Sequence, residues 1–180
     1  MSRSHTRIYF YEFECRQGEE IGEHKLGKIY KHVPILCVGY RVCTLCWDDD
    51  GKSCQMCEQR KWVFKGDQCR DSFCRWLFSD ERHTGRRAIA HNARGYDAVL
   101  IKEYLFEQGI APTMIENGVK IIRLEYNNVT LIDSLSFVSM PLAKFPKTFG
   151  LKEMQKGYFH HLQHEGKRKV QRVNTRNGLL

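Results

Sequence analysis

An α/β domain carrying a small metal-stapled insertion is predicted by three observations. The chain opens on an aromatic-rich run with strand alternation, Ile8 to Cys15. Its middle, Ile89 to Ile101, reads as a buried strand end, a short loop and the first turn of a helix. Between them lie two Cys-x-x-Cys pairs, Cys43/Cys46 and Cys54/Cys57, seven residues apart. Strands first and strand–helix alternation afterwards is the order of a layered α/β fold.

Composition narrows the class. The 180 residues suit one domain of ordinary size, 42% of them apolar with a mean hydropathy of −0.52. No apolar run approaches the ~20 residues of a membrane span, and the first residues carry no apolar core of a secretory signal. With eight cysteines, that points to a reducing intracellular compartment, nucleus and cytoplasm not being distinguished, and to thiols or metal ligands over disulfides. The formal charge is +8, and half of the excess sits in 165–180, where Lys167, Arg168, Lys169, Arg172 and Arg176 face one acid, Glu165. That basic segment reads as a disordered tail to a domain over 1–164. A basic balance suits a polyanion such as nucleic acid, and equally a solvated surface.

In the first strand Phe10, Glu12 and Glu14 share one face and Tyr9, Tyr11 and Phe13 the other. Two carboxylates on a buried strand are costly without a cationic partner. A divalent ion is one solution; a solvated edge strand is the other. Glu19–Lys31 is polar and reads as a loop or hairpin turn, leading into a second, antiparallel strand over His32–Tyr40. The insertion, 41–60, follows. Cys43, Cys46, Cys54 and Cys57 have the spacing of a closed tetrahedral Zn²⁺ site with net charge −2; disulfide or redox use is the competing reading. Cys15, Cys37, Cys69 and Cys74 lack ligand spacing and read as buried small hydrophobes.

Lys61–Phe64 is a short strand, and Asp67–Ser79 an amphipathic helix with Cys69, Phe73, Trp76 and Leu77 on one face. Glu81–Arg87 reads as a charged loop. At 89–101, Gly95 can supply a left-handed turn, and Asp97 falls in the opening turn of a helix that ends at Gly109. Asp97 is either a helix-cap carboxylate or a metal ligand, with Asn92 placed to hydrogen-bond a nucleic-acid strand. Val119–Tyr126 and Val129–Ile132 flank Asn127-Asn128 as a hairpin. Pro141 suits the first turn of a helix that Pro146 keeps short. His160, His161 and His164 read as exposed histidines near a terminus.

Taken together these motifs resemble the 3′–5′ exonuclease domain of protein-primed family B DNA polymerases. The cysteine-bearing insertion is most similar to polymerases of Maverick/Polinton mobile elements and their viral relatives. Tyr11-Glu12-Phe13-Glu14-Cys15 stands at the family's first exonuclease motif, Asp-x-Glu. His91-Asn92-Ala93-Arg94-Gly95-Tyr96-Asp97 matches the second, and Asp133-Ser134-Leu135 through Leu151 is similar to the segment contacting single-stranded DNA and the terminal protein. Lys156-x-x-Phe159 is compatible with the lysine motif near the scissile phosphate.

The resemblance implies a ribonuclease-H-like fold, a mixed five-stranded sheet with helices on both faces. It also implies phosphodiester hydrolysis by two Mg²⁺ or Mn²⁺ ions roughly 4 Å apart. The implied residues are Glu12, Glu14 and Asp97 as metal carboxylates, Lys156 as a further catalytic residue, and Asn92, Tyr96, Ser134 and Leu135 as contacts to a primer 3′ end. The chain departs from the pattern twice. Glu12 replaces an aspartate, a displacement of about an ångström that costs orders of magnitude where positioning carries catalysis. Through 162–180 there is neither tyrosine nor aspartate for the third motif, Tyr-x3-Asp.

The expectation is therefore a monomeric amino-terminal polymerase fragment, ancestrally proofreading and now hydrolytically impaired. The alternative is a non-enzymatic, zinc-stapled module that binds single-stranded nucleic acid. A third class, an independent nuclease, would recruit Asp133 as a fourth carboxylate.

Overall fold

The structure is a computed structural model and describes residues 6–25, 27–49, 51–79 and 85–151. Its frame is a seven-stranded mixed sheet in the order β5-β2-β1-β6-β9-β8-β7. The strands are β1 (Arg7–His24), β2 (Gly27–Cys43), β5 (Lys61–Lys65), β6 (Arg86–Ala90), β7 (Thr113–Asn117), β8 (Lys120–Tyr126) and β9 (Val129–Asp133). Two-residue strands β3 (Ser53–Cys54) and β4 (Glu58–Gln59) pair within the insertion. β1/β6 and β6/β9 are parallel and every other pair is antiparallel. The mixed α/β class holds. The expected count of five strands does not: the sheet has seven, ending in β5 at one edge and β7 at the other.

The alternation read in β1 is what seats the helices. Tyr9, Tyr11 and Phe13 are buried and share a core with helices α1 (Cys69–Phe78) and α2 (Asp97–Glu107). In register across the sheet, Tyr9, Ala88, Leu131 and Leu124 carry that core to β8. Among the described residues α1 and α2 thus both lie on one face of the sheet. The opposite face bears Phe10, 39% exposed, and Glu12, which is exposed. Gly39 lets α1 approach β2 closely, because a Cβ there would stand 2.8 Å from the Trp76 ring. Among the described residues no helix is long and apolar enough to cross a membrane.

Several local readings are corrected. Glu19–Lys31 is no loop: β1 and β2 run on as a two-stranded arm until His24 pairs with Gly27, at φ 128. Backbone pairing needs no apolar face, so a polar composition did not forbid it. Arg86 and Arg87, read as loop, begin β6; Arg86 is fully buried, and its guanidinium donates to Leu77 O (3.1 Å) and to Asn127 O. Pro146 does not end a helix but lies in the first turn of α3 (Phe145–Phe149), where its missing N–H costs nothing. The left-handed residue of the 89–97 loop is Asn92, at φ 62, and not Gly95. The Asn127-Asn128 hairpin stands as read, both residues at positive φ (44 and 59) in the geometry a two-residue turn requires.

Candidate carboxylate cleft and thiol cluster

β1 and β6 pair only as far as Phe10–Ile89, and beyond that point the sheet splits. The first turn of α2 fills the split. Asp97 Oδ1 accepts the N–H of Phe13 at 3.0 Å, a donor the missing strand partner would otherwise leave unpaired. Beside it opens a cleft of about 220 Å³ lined by Glu12, Asn92, Tyr96 and Asp97 together with Tyr11, His91 and Leu142. Asp97 is 7% exposed. Burial raises its carboxyl to about 6 against the lowering by the Phe13 N–H, and Glu12 and Asp133 add to the rise. A buried carboxylate raised this way, in a cleft beside a second one, makes the cleft a candidate functional site.

The structure thus brings Glu12, Asn92, Tyr96 and Asp97 to one cleft. Glu14 lies on the same strand face, outside the cleft lining. Ser134 and Leu135 lie behind it. Ser134 Oγ is 2.9 Å from His91 Nδ1, which orients the His91 ring between Ser134 and Phe145. Lys156 and the three histidines at 160, 161 and 164 lie outside the described residues, as does the segment 165–180.

Asp133, the carboxylate that the third reading would recruit, is held by backbone and side-chain donors. It is 4% exposed, and its Oδ1 accepts from Asn92 N (2.8 Å) and Leu135 N (2.9 Å). Its Oδ2 takes Arg94 N (3.3 Å) and the Arg94 guanidinium (3.2 Å). Both oxygens tie β9 to the Asn92 loop, so Asp133 acts as a loop clamp. Asp133→Ala should cost about 2 kcal/mol, because it strands buried N–H donors. Denaturant unfolding measures this; unchanged stability with weakened Mn²⁺ binding would contradict the clamp.

His32 escaped the sequence reading. It lies on the β1–β2 arm, 64 residues from Tyr96, yet its Nδ1 is 3.1 Å from the Tyr96 hydroxyl and the rings meet edge to face. Cys15, read as buried, is half-buried. Burial, followed by Cys15, pushes the Tyr96 phenol upward, so it stays a neutral hydroxyl at the cleft mouth.

At the other end of the sheet the four insertion cysteines converge. All are free, and their sulfurs lie within 4.8 Å of one another. The separations are 3.8 Å (Cys43–Cys46), 3.9 Å (Cys43–Cys54) and 3.8 Å (Cys46–Cys57). A tetrahedron with Zn–S bonds of ~2.3 Å has edges of about 3.8 Å, so the donor set fits a tetrathiolate metal site and is too open for disulfides. Burial works to raise the Cys54 thiol, but the Cys57 N–H and the neighbouring thiols hold it down at about 7, while burial and its neighbours push Cys57 upward. Among the described residues this is the one group of three or more metal-ligating side chains gathered so closely; the carboxylates are not.

A mixed α/β sheet whose carboxylate cleft opens where two parallel strands part is thus the class that fold and site define. The profile of the family described as DNA polymerase type B, organellar and viral, matches residues 82–177, just over half of the chain. The chain belongs to that family. Among solved structures it is similar to phi29 DNA polymerase in an orthorhombic crystal form, with 15% identity and a TM-score of 0.58. Phi29 DNA polymerase complexed with primer-template DNA gives 14% and 0.56, and the same enzyme complexed with single-stranded DNA 14% and 0.53. In each case 88% of this chain and 26% of the polymerase are covered, so the chain spans about a quarter of those proteins. At such identities the likeness shows the fold. Among curated proteins none matches the chain.

Proposed function

We propose that the chain is the 3′–5′ exonuclease domain of a protein-primed type B polymerase, binding the 3′ end of single-stranded DNA. The observation that carries this reading is the pairing of buried Asp97 with Glu12 in one cleft, at the split of the sheet. Glu12 and Asp97 would hold a divalent ion there, with Glu14 next along the strand. Such an ion activates water and stabilises a departing 3′ oxygen. Asn92 and Tyr96 at the mouth bind and orient the strand, Tyr96 by stacking and Asn92 by hydrogen bonding. The Tyr96 hydroxyl, tied to His32, fixes the ring from the arm side. Hydrolysis is weak in this chain. Glu12 is a methylene longer than the family's aspartate, and the third motif, Tyr-x3-Asp, is missing from 162–180. The insertion is a zinc staple, closed by four thiolates and so non-catalytic.

The loose gathering of the carboxylates favours a second reading, a binding module without turnover. One experiment addresses both. A labelled single strand is incubated with Mn²⁺ or Mg²⁺, and release of 3′ nucleotides is followed beside salt-dependent binding, with Asp97→Ala as control. We expect salt-sensitive binding and slow release that Asp97→Ala abolishes. Binding without any release selects the binding module. Release untouched by Asp97→Ala, or no binding at all, overturns the proposal.

A further inference from the structure

Three arginines surround the thiol cluster, and among the described residues two of them have no carboxylate within ion-pair distance. Arg41 and Arg60 are 8% and 3% exposed. Among the described residues neither meets a carboxylate. Arg41 donates to the carbonyl of Cys57 and lies over the Trp76 ring at 5.8 Å. Arg60 donates to the carbonyls of Asp49 and Gly51 (2.8 Å to the latter) and lies over Tyr40 at 5.0 Å. Arg7, at the head of β1, donates to Met56 O. The Nε atoms of Arg41 and Arg60 are buried without a partner. Carbonyl dipoles and ring faces solvate a guanidinium in part, but a buried cation without an anion is costly.

The carbonyls these side chains take are not arbitrary. Cys57 is itself a thiol donor, and Asp49 and Gly51 lie in the turn joining the two cysteine pairs. The backbones of the arginines are locked to the same frame through Arg41 N to Arg60 O (2.8 Å) and Arg60 N to Lys52 O (3.0 Å). A divalent ion on four thiolates carries net charge −2, the complement of two guanidiniums.

We infer that Arg41 and Arg60 are positioning residues for the thiol-bound metal: they hold the ligand-bearing turns by their carbonyls and supply the counter-charge of a dianionic metal–tetrathiolate centre. This rests on zinc occupancy of the cluster. The arginines and the metal then depend on each other. Without the ion the two charges favour opening of the insertion; with it they form a neutral unit, which favours a divalent occupant over a monovalent one. Outer partners of this kind are worth roughly 10- to 100-fold in metal affinity.

The test measures zinc affinity of the full chain by competition with a chromophoric chelator, and melting of the metal-free and zinc-loaded forms. The variants are Arg41→Met and Arg60→Met, with Arg41→Lys and Arg60→Lys restoring charge. Each Met variant should weaken zinc about 10-fold or more, with the Lys variants regaining most of the loss. The metal-free form should melt no lower, or higher, in the Met variants, since an uncompensated charge has gone. A scaffold role alone would lower both melts together and leave zinc affinity unmoved, and that result overturns the inference while zinc binding stands. A wild-type chain that takes up neither zinc nor Co²⁺ with a thiolate charge-transfer band overturns the zinc reading as well.

Discussion

Asp97→Asn should stabilise the folded chain near neutral pH while removing its capacity to bind a divalent ion. In the fold the Asp97 carboxyl is held at about 6, against an ordinary 3.8, chiefly by burial. A folded-state value above the unfolded one means that the native protein binds the proton more tightly. Stability from this group is complete below about pH 4, is lost as the pH rises through 6, and stays lost above it. The shift corresponds to about 3 kcal/mol. Asparagine keeps an oxygen for the Phe13 N–H, which lies 3.0 Å from Oδ1, and has no charge to desolvate.

The variant should therefore gain on the order of 2–3 kcal/mol near pH 7, a rise of roughly 5–10 °C in melting temperature, and little near pH 4. Millimolar Mn²⁺ should raise the parent's melting temperature and leave the variant's unchanged, closing the gap. Such trade-offs mark residues kept for function at the expense of stability. A helix-cap carboxylate predicts the opposite, because a charge at a helix N-terminus is favourable and its loss costs stability. A variant that melts lower than its parent near pH 7 would assign Asp97 to that ordinary role.

What the sequence disclosed depended on how local the cause was. The Tyr9–Tyr11–Phe13 face, the Asn127-Asn128 turn and the two cysteine pairs are short-range patterns, and each reappears in three dimensions, the cysteines at sulfur separations near 3.8 Å. Asp97 was placed at the start of its helix by periodicity alone. Its partner Phe13, 84 residues away, was invisible, because it follows from where β6 stops pairing with β1. The clamp made by Asp133 was invisible for the same reason: its donors come from Asn92 and Arg94, about forty residues earlier. The β1–β2 arm was missed because both its faces meet solvent, so hydrophobic period carries no signal there. β7 was missed because only Met114 of its five residues is even half-buried. The burial of Arg41 and Arg60 has no local signal in the sequence, because it follows from how the insertion folds back on β2.

Removing the metal should cost more than any single side chain, and the damage should be local before it is global. The apolar cluster beneath the insertion consists of Val42, Cys43, Cys46 and Cys57, with Ile8, Tyr40, Cys54 and Met56 partly buried against it. Three of the four buried members are the thiol donors themselves. Without an ion this cluster is too small to hold 41–60 in one conformation, as in other miniature scaffolds that need a staple. Structural zinc on such ligands supplies on the order of 10 kcal/mol at neutral pH. The main core around Phe73, Leu77, Ile101 and Leu105 is separate and keeps its own packing.

Stripping zinc with a strong chelator, or Cys57→Ser, should therefore abolish amide protection over 43–60 and leave α1 and α2 protected. The loss should reach the start of β1 as well, because Arg7 donates to Met56 O and pairs with Cys43 across the strands. It should fade over Ile8–Phe10, where pairing with β6 supports β1 from its other edge. Hydrogen exchange with and without metal reads this residue by residue. Protection over 43–60 that survives chelation would show that the three arginines and the backbone hold the insertion unaided, and the metal would lose its structural role.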